Sequence, residues 1–339
     1  MTVADATAFD RARRQRRDDR CDQAVLRPVE VADFLALAIP EREMLLDPIL
    51  PAQGLVMVFA PRGIGKTHLG LAMAYAVASG GTALRWPAPK PAPVLYVDGE
   101  MPGRTMQERV GAIVAASPTE PPPGHLRFIL ADLHEDGLPD LASEEGQTAI
   151  EAALADAKLV VFDNLSSLVR SGRENEADGW QPVQDFLLRL RRRGVSVLLI
   201  HHAGKAGQQR GTSRREDVLD TVIALRRPSD YQPADGARFE VHIEKCRGTA
   251  GEAVNPFEAK LDIRDGAAGW TMRGIDDVEM QRVVSMTLDG FTTRDIAAET
   301  GMSVGKVNKL QSLAREIGLL PDKVKRGPRP RRDLGDDDE

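Results

Sequence analysis

A mostly parallel β-sheet covered by helices, with a small all-helical segment after it, is the α/β architecture this sequence predicts. Three observations carry that expectation. Short apolar runs bounded by turn residues recur between residues 55 and 245. Helical stretches separate most of them, and beyond about residue 275 the pattern changes to short helices alone. A chain of 339 residues suffices for one substantial α/β domain and a small appendage.

The elements follow in order. Residues 1–27 are polar and carry an arginine-rich run at 11–17, which reads as a solvated arm and less readily as a nucleic-acid contact. Residues 28–50 read as a short helical lead-in ending at Pro48 and Pro51. From Leu55 the order is strand (LVMVFA), glycine loop (PRGIGKT) and helix (HLGLAMAYAVA). A second strand is expected at 94–97, after the proline-rich loop 87–93, and a helix from about Pro102. Breakers at 117–124 precede further strands at 125–130, 159–162, 196–200, 221–225 and 239–245. Helices are expected at 145–157 and 180–192. The last strands follow one another without helices, so that edge is expected to be antiparallel. No repeat of solenoid period is visible.

Composition narrows the function classes. Hydrophobic residues make up 42% and charged residues 28%, with a net charge of -6, so any nucleic-acid contact must come from local basic patches. Cys21 and Cys246 are the two cysteines, far apart and without metal-ligand spacing, which argues against a disulfide scaffold or zinc site. No apolar run reaches membrane-spanning length and no signal peptide is evident, so a cytoplasmic protein is expected.

Residues 60–67 read Ala-Pro-Arg-Gly-Ile-Gly-Lys-Thr, a phosphate-binding loop with Ala60 in place of the usual first glycine. The nucleotide-binding run is Pro61, Arg62, Gly63, Ile64, Gly65, Lys66, Thr67 and His68, whose backbone N–H groups, proline apart, would curl around phosphates at a helix N-terminus. Lys66 would reach the β- and γ-phosphates of ATP and Thr67 would ligate Mg²⁺. Asp163 ends a buried apolar run, where a carboxylate points into the ligand crevice and can support the metal; a helix cap is its plainer role. Glu100, two residues after Asp98, stands where a carboxylate can activate water, or else cap the helix from Pro102. His201 and His202 end the strand at 196–200. Adjacent strand residues face opposite ways, so the pair makes a poor metal site. Lys245 and Arg247 share one strand face, which taken alone reads as a basic sheet edge.

In this order the motifs resemble DnaB-like replicative helicases, where an acidic residue followed by Met-Pro ends the second core strand. The segment VLYVDGEMPGRTMQERV carries the likeness, and the plasmid RepA-type hexameric helicases are closer still. The resemblance spans roughly residues 50–260. It implies a RecA-like P-loop NTPase fold with Glu100 as catalytic base and His202 as γ-phosphate sensor. It also implies that Lys245 and Arg247 reach the nucleotide of the adjacent subunit in a homo-hexameric ring. A DNA-contacting loop is expected after the sensor, with Lys205 and Arg210 as phosphate contacts, Arg214 and Arg215 as weaker candidates, and 170–179 as a companion loop.

Residues 292–310 resemble a helix-turn-helix. Ala297 allows close packing, Gly301 sits at the turn, and Ile296, Val307 and Leu310 fill a small core. Ser303, Lys306, Asn308 and Lys309 would face outward toward DNA, although such folds also bind proteins. The organisation expected is a disordered arm at 1–27, an ATPase core at 28–274, a helix-turn-helix at 275–320 and a disordered tail at 321–339. The function expected is a DNA helicase or translocase with single-stranded DNA in its channel and possible duplex contact through the C-terminal helices. A DNA-binding regulator or helicase loader without processive unwinding is the alternative. A small-molecule kinase lacks an evident acceptor-binding domain.

Overall fold

A computed structural model describes residues 28–39, 41–170, 177–203 and 217–321. The arginine run at 11–17, Lys205, Arg210, Arg214, Arg215, most of the companion loop and the tail beyond 321 lie outside the described residues. Residues Met1–Arg42 form a unit of their own, whose described part holds one helix, α1 (Val31–Ala36), with no buried residue. The second unit begins at Glu43.

The lead-in is helical only in part. Residues 44–51 form a hairpin, β1 (Met44–Leu46) against β2 (Leu50–Pro51), where a helix was expected. Leu45, Leu46, Ile49 and Leu50 are buried in the main core. A two-stranded turn buries all four around Pro48, whose missing N–H and fixed ring disfavour a helix interior.

Among the described residues a two-stranded sheet pairs β4 (Thr82–Ala83) with β5 (Trp86–Pro87), and the separate central sheet has nine strands. Its parallel part runs β10 (Thr221–Arg226), β3 (Leu55–Ala60), β9 (Ser196–His202), β8 (Leu159–Asp163), β6 (Val94–Asp98) and β7 (Leu126–Leu130). Strands β3, β6, β8 and β9 are buried along their whole length, which is why they are apolar without alternation. Alternate residues feed two cores. On one side Val56, Val58, Val161 and Ile200 pack with α2 (Lys66–Ser79) and with Met106 of α3 (Gly103–Ala116). On the other, Met57, Phe59, Phe162 and Leu199 pack with Ile150 of α4 (Glu144–Ala153), Leu165 and Leu168 of α5 (Leu165–Leu168), and Phe186 of α6 (Ala177–Arg192).

The antiparallel edge is longer than the sequence suggested. After β11 (Arg238–Cys246) come two strands not anticipated, β12 (Phe257–Arg264) and β13 (Ala267–Gly274), which extend the sheet as a meander. A buried ion cluster fastens this wing. Glu258 accepts from Arg238 through Oε2 (2.7 Å) and from Arg273 through Oε1 (2.7 Å), and Arg238 also pairs with Asp230 and Asp235. Together these partners hold the Arg238 guanidinium more firmly charged than usual, against the effect of burial.

Three helices follow: α7 (Ile275–Leu288), α8 (Thr293–Thr300) and α9 (Val304–Glu316). Ile296, Ala297, Val307 and Leu310 are buried between them, with Met280 and Val283 from α7. Thr292 and Asp295 make a capping box on α8, and Gly301 ends that helix at φ +72°.

Candidate active site

The parallel strands end together on one edge, and the register of the sheet assembles the site there. Ala60 on β3 lies beside His202 on β9, and Asp163 on β8 lies beside Asp98 on β6. Because β9 sits between β3 and β8, His202 falls between the phosphate loop and the carboxylates. These ends open into a cleft of about 620 Å³ lined by Arg62, Gly63, Gly65, Lys66, Thr67, His68, Glu100, Asp163 and His202. Cavities of this size hold nucleotide-sized ligands.

The loop residues divide their tasks. Gly63 and Gly65 adopt φ of +71° and +115°, and a Cβ on Gly65 would lie 3.0 Å from Cβ of Ala237 and 3.1 Å from Cε1 of Phe239. Only glycine meets both conditions. Gly65 then opens α2, whose first N–H groups have no intrahelical partner and face the cleft. Pro61 is exposed, while the Ile64 side chain is buried in the core, so Ile64 offers only its backbone to a ligand. Lys66 Nζ donates to the carbonyls of Ala60 (3.1 Å) and Pro61 (2.8 Å). Burial lowers its pKa to about 8, opposed by the charges of Asp163 and Glu100. Burial and the nearby Arg109 bring His68 down to about 4, so its imidazole is neutral.

Asp163 is almost wholly buried. Its Oδ2 accepts from the Tyr96 hydroxyl at 2.8 Å, and Thr67 bonds its carboxylate as well. Burial raises its pKa, while the two hydroxyls and Lys66 favour the charged form. A carboxylate, a threonine hydroxyl and a helix N-terminus in one cleft form a hard-oxygen set that suits Mg²⁺ bound with ATP phosphates. Thr67 and Asp163 are therefore fit to hold the ion.

Glu100 and Asp98 are distinguished by their contacts. Asp98 Oδ1 accepts from the N–H groups of Glu100 (3.0 Å) and Met101 (2.6 Å), so it shapes the turn. Burial lifts its pKa to about 6, with those backbone bonds working the other way. The Glu100 carboxylate lies in the cleft and accepts from Asn164 Nδ2.

Lys245 and Arg247 do not reach this cleft. β11 runs antiparallel to β10, so it starts under the phosphate loop and ends at the opposite edge of the sheet. Nine extended residues separate the two, about 30 Å. There Arg247 is exposed and donates to the Asp217 carbonyl at 2.6 Å. Among the C-terminal candidates, Ser303 caps α9 by accepting from Lys306 N–H (3.2 Å), and Lys306 is paired with Glu279 on α7. Asn308 and Lys309 are exposed.

Sequence reasoning missed Tyr96, Arg109 and Asn164, all lining or supporting the cleft. Asn164 directly follows β8, and that position was its available signal, whereas Tyr96 lies inside β6 and Arg109 inside α3. Gly70 was a further signal: a Cβ there would lie 3.1 Å from Tyr96 Oη, so the glycine admits the hydroxyl that holds Asp163.

No helix among the described residues is long and apolar enough to cross a membrane. Two solved structures are similar over about two thirds of the chain. The flagellar accessory protein FlaH from Methanocaldococcus jannaschii is 11% identical with a TM-score of 0.44, covering 66% of this chain and 91% of its own. A KaiC-like protein from Pyrococcus horikoshii OT3 is 16% identical with a TM-score of 0.46, covering 68% and 99%. Residues 20–208 match the family AAA_25, described as an AAA domain. With more than half of its residues inside that match, the chain belongs to the AAA_25 family of P-loop ATPases.

Proposed function

We propose that this protein hydrolyses ATP as one subunit of a ring-shaped motor acting on DNA, of the helicase or translocase kind. The observation that carries the hydrolytic part is the Glu100 carboxylate in the same cleft as Lys66, Thr67 and Asp163. Lys66 and the N–H groups at the start of α2 orient the phosphates. Glu100 takes a proton from water as the water oxygen bonds to the γ-phosphorus and the bond to the ADP oxygen breaks. Thr67 and Asp163 would hold magnesium, which would supply neutralisation of the phosphate oxygens. His202, at the end of β9, faces the cleft and suits a sensor of the γ-phosphate.

The ring is supported by the place of Lys245 and Arg247. Far from their own cleft, they suit a finger that completes the site of a neighbour. A second reading is favoured by the three C-terminal helices: an ATP-dependent DNA-binding regulator or loader, with Asn308 and Lys309 exposed on α9. The pairing of Lys306 with Glu279 removes one cation from that surface. Hydrolysis of ATP by the purified protein, with and without single-stranded DNA, separates the two. Stimulation by single strands and loss of turnover in Glu100→Gln, by about a hundredfold or more, are the outcomes expected of a motor. Indifference to single strands with tight, salt-dependent duplex binding would favour the regulator.

A further inference from the structure

We propose that Asn164 is a positioning residue for hydrolysis, fixing the Glu100 carboxylate and tying it to the strand that carries Asp163. The inference rests on Glu100 as the base. In sequence Asn164 looks like an ordinary helix cap after a strand, and its Oδ1 does cap α5 by accepting from Ser167 N–H at 3.2 Å. A carboxamide has a second end. Here its Nδ2 donates to Glu100 Oε2, with Asn164 buried at the floor of the cleft.

The surroundings make this contact a rigid one. The Gly99 N–H donates to the Asp163 carbonyl at 2.9 Å, so the turn bearing Glu100 is joined to the end of β8 through the backbone. A Cβ on Gly99 would meet Ser167 Oγ at 2.5 Å and Leu168 Cδ2 at 2.9 Å, so the turn lies directly on α5. Asp98 fixes the backbone of Glu100 and Met101 from the other side. Of these links only Asn164 touches the carboxylate itself. A glutamate side chain left free explores several rotamers, and ordering it costs conformational entropy. With one oxygen held by the amide, the other is presented in a single orientation for an attacking water. The cap at the opposite end of the amide keeps Asn164 from following Glu100 if it moves.

The test separates the two ends of the amide. Asp and Ser cap helices about as well as Asn, yet neither offers the donor that reaches Glu100. In Asn164→Asp and Asn164→Ser, kcat for ATP should fall about tenfold or more with KM changed less than about twofold, and in Asn164→Ser, which adds no buried charge, Tm should stay near that of the parent. Adding Asn164→Asp to Glu100→Gln should lower turnover no further. Turnover near the parent value in Asn164→Asp and Asn164→Ser, with loss only in Asn164→Ala, would reduce Asn164 to a helix cap and overturn the proposal. Parent-like hydrolysis in Glu100→Gln would instead remove Glu100 as the base. An inactive Glu100→Gln beside a fully active Asn164→Asp removes this inference alone.

Discussion

Asp98 and Asp163 stand side by side on neighbouring strands, and the fold treats their charges differently. Asp163 meets hydroxyls and Lys66, whereas Asp98 meets two backbone N–H groups that both bond its Oδ1. An asparagine at 98 can therefore keep both bonds while removing a buried charge. The carboxyl of Asp98 titrates near 6 in the folded protein, above its ordinary value of 3.8, because burial outweighs the backbone donors. A group raised in this way contributes stability that is complete below the unfolded pKa and is lost as pH rises through the folded one. Asp98→Asn should thus gain stability over the parent as pH rises from 4 to about 7, reaching a difference of about 3 kcal/mol read as a higher Tm, and hold it above that. Thermal melts across this range check the point; a gain independent of pH would mean that Asp98 is not the titrating group.

Charge also decides how the antiparallel wing is held. Glu258 lies between Arg238 and Arg273 and is almost fully buried, so its removal would leave Arg238 deep in the sheet without its nearest partner. Glu258→Ala should cost about 3 kcal/mol, read as a lower denaturant midpoint, with Glu258→Gln in between. The same strands show what a sequence conceals. β3 and β8 were legible because strands buried on both faces must be apolar throughout. β12, FEAKLDIR, and β13, AAGWTMRG, carry charged and small residues because burial fades along them, and their signal is the pairing itself. The hairpin at Met44–Pro51 was hidden for a related reason: its apolar residues are too few to show a period. Lys66, Thr67 and Asp163 were legible because chemistry fixes their place after particular strands. Asn164 was not, since a capping residue and a positioning residue look alike until the partner of the second amide atom is seen.

The nucleotide cleft and the Lys245–Arg247 pair lie on opposite edges of one sheet. In a ring of such subunits each cleft would face the far edge of the next. Arg247→Ala and Glu100→Gln damage different halves of a composite site, so an equal mixture should recover part of the hydrolysis that each lacks alone. Rates of mixtures across a range of ratios check this, and activity strictly proportional to residual parent-like rates would exclude sharing between subunits. β11 has a further consequence. Its first residues press on Gly65 and its last carry the distant cations, with β10 alongside for most of its length. Extended backbone hardly shortens under load. Joined to β10 and β12 by backbone pairing, the strand is a strut that holds the phosphate loop and the distant cations at a set separation.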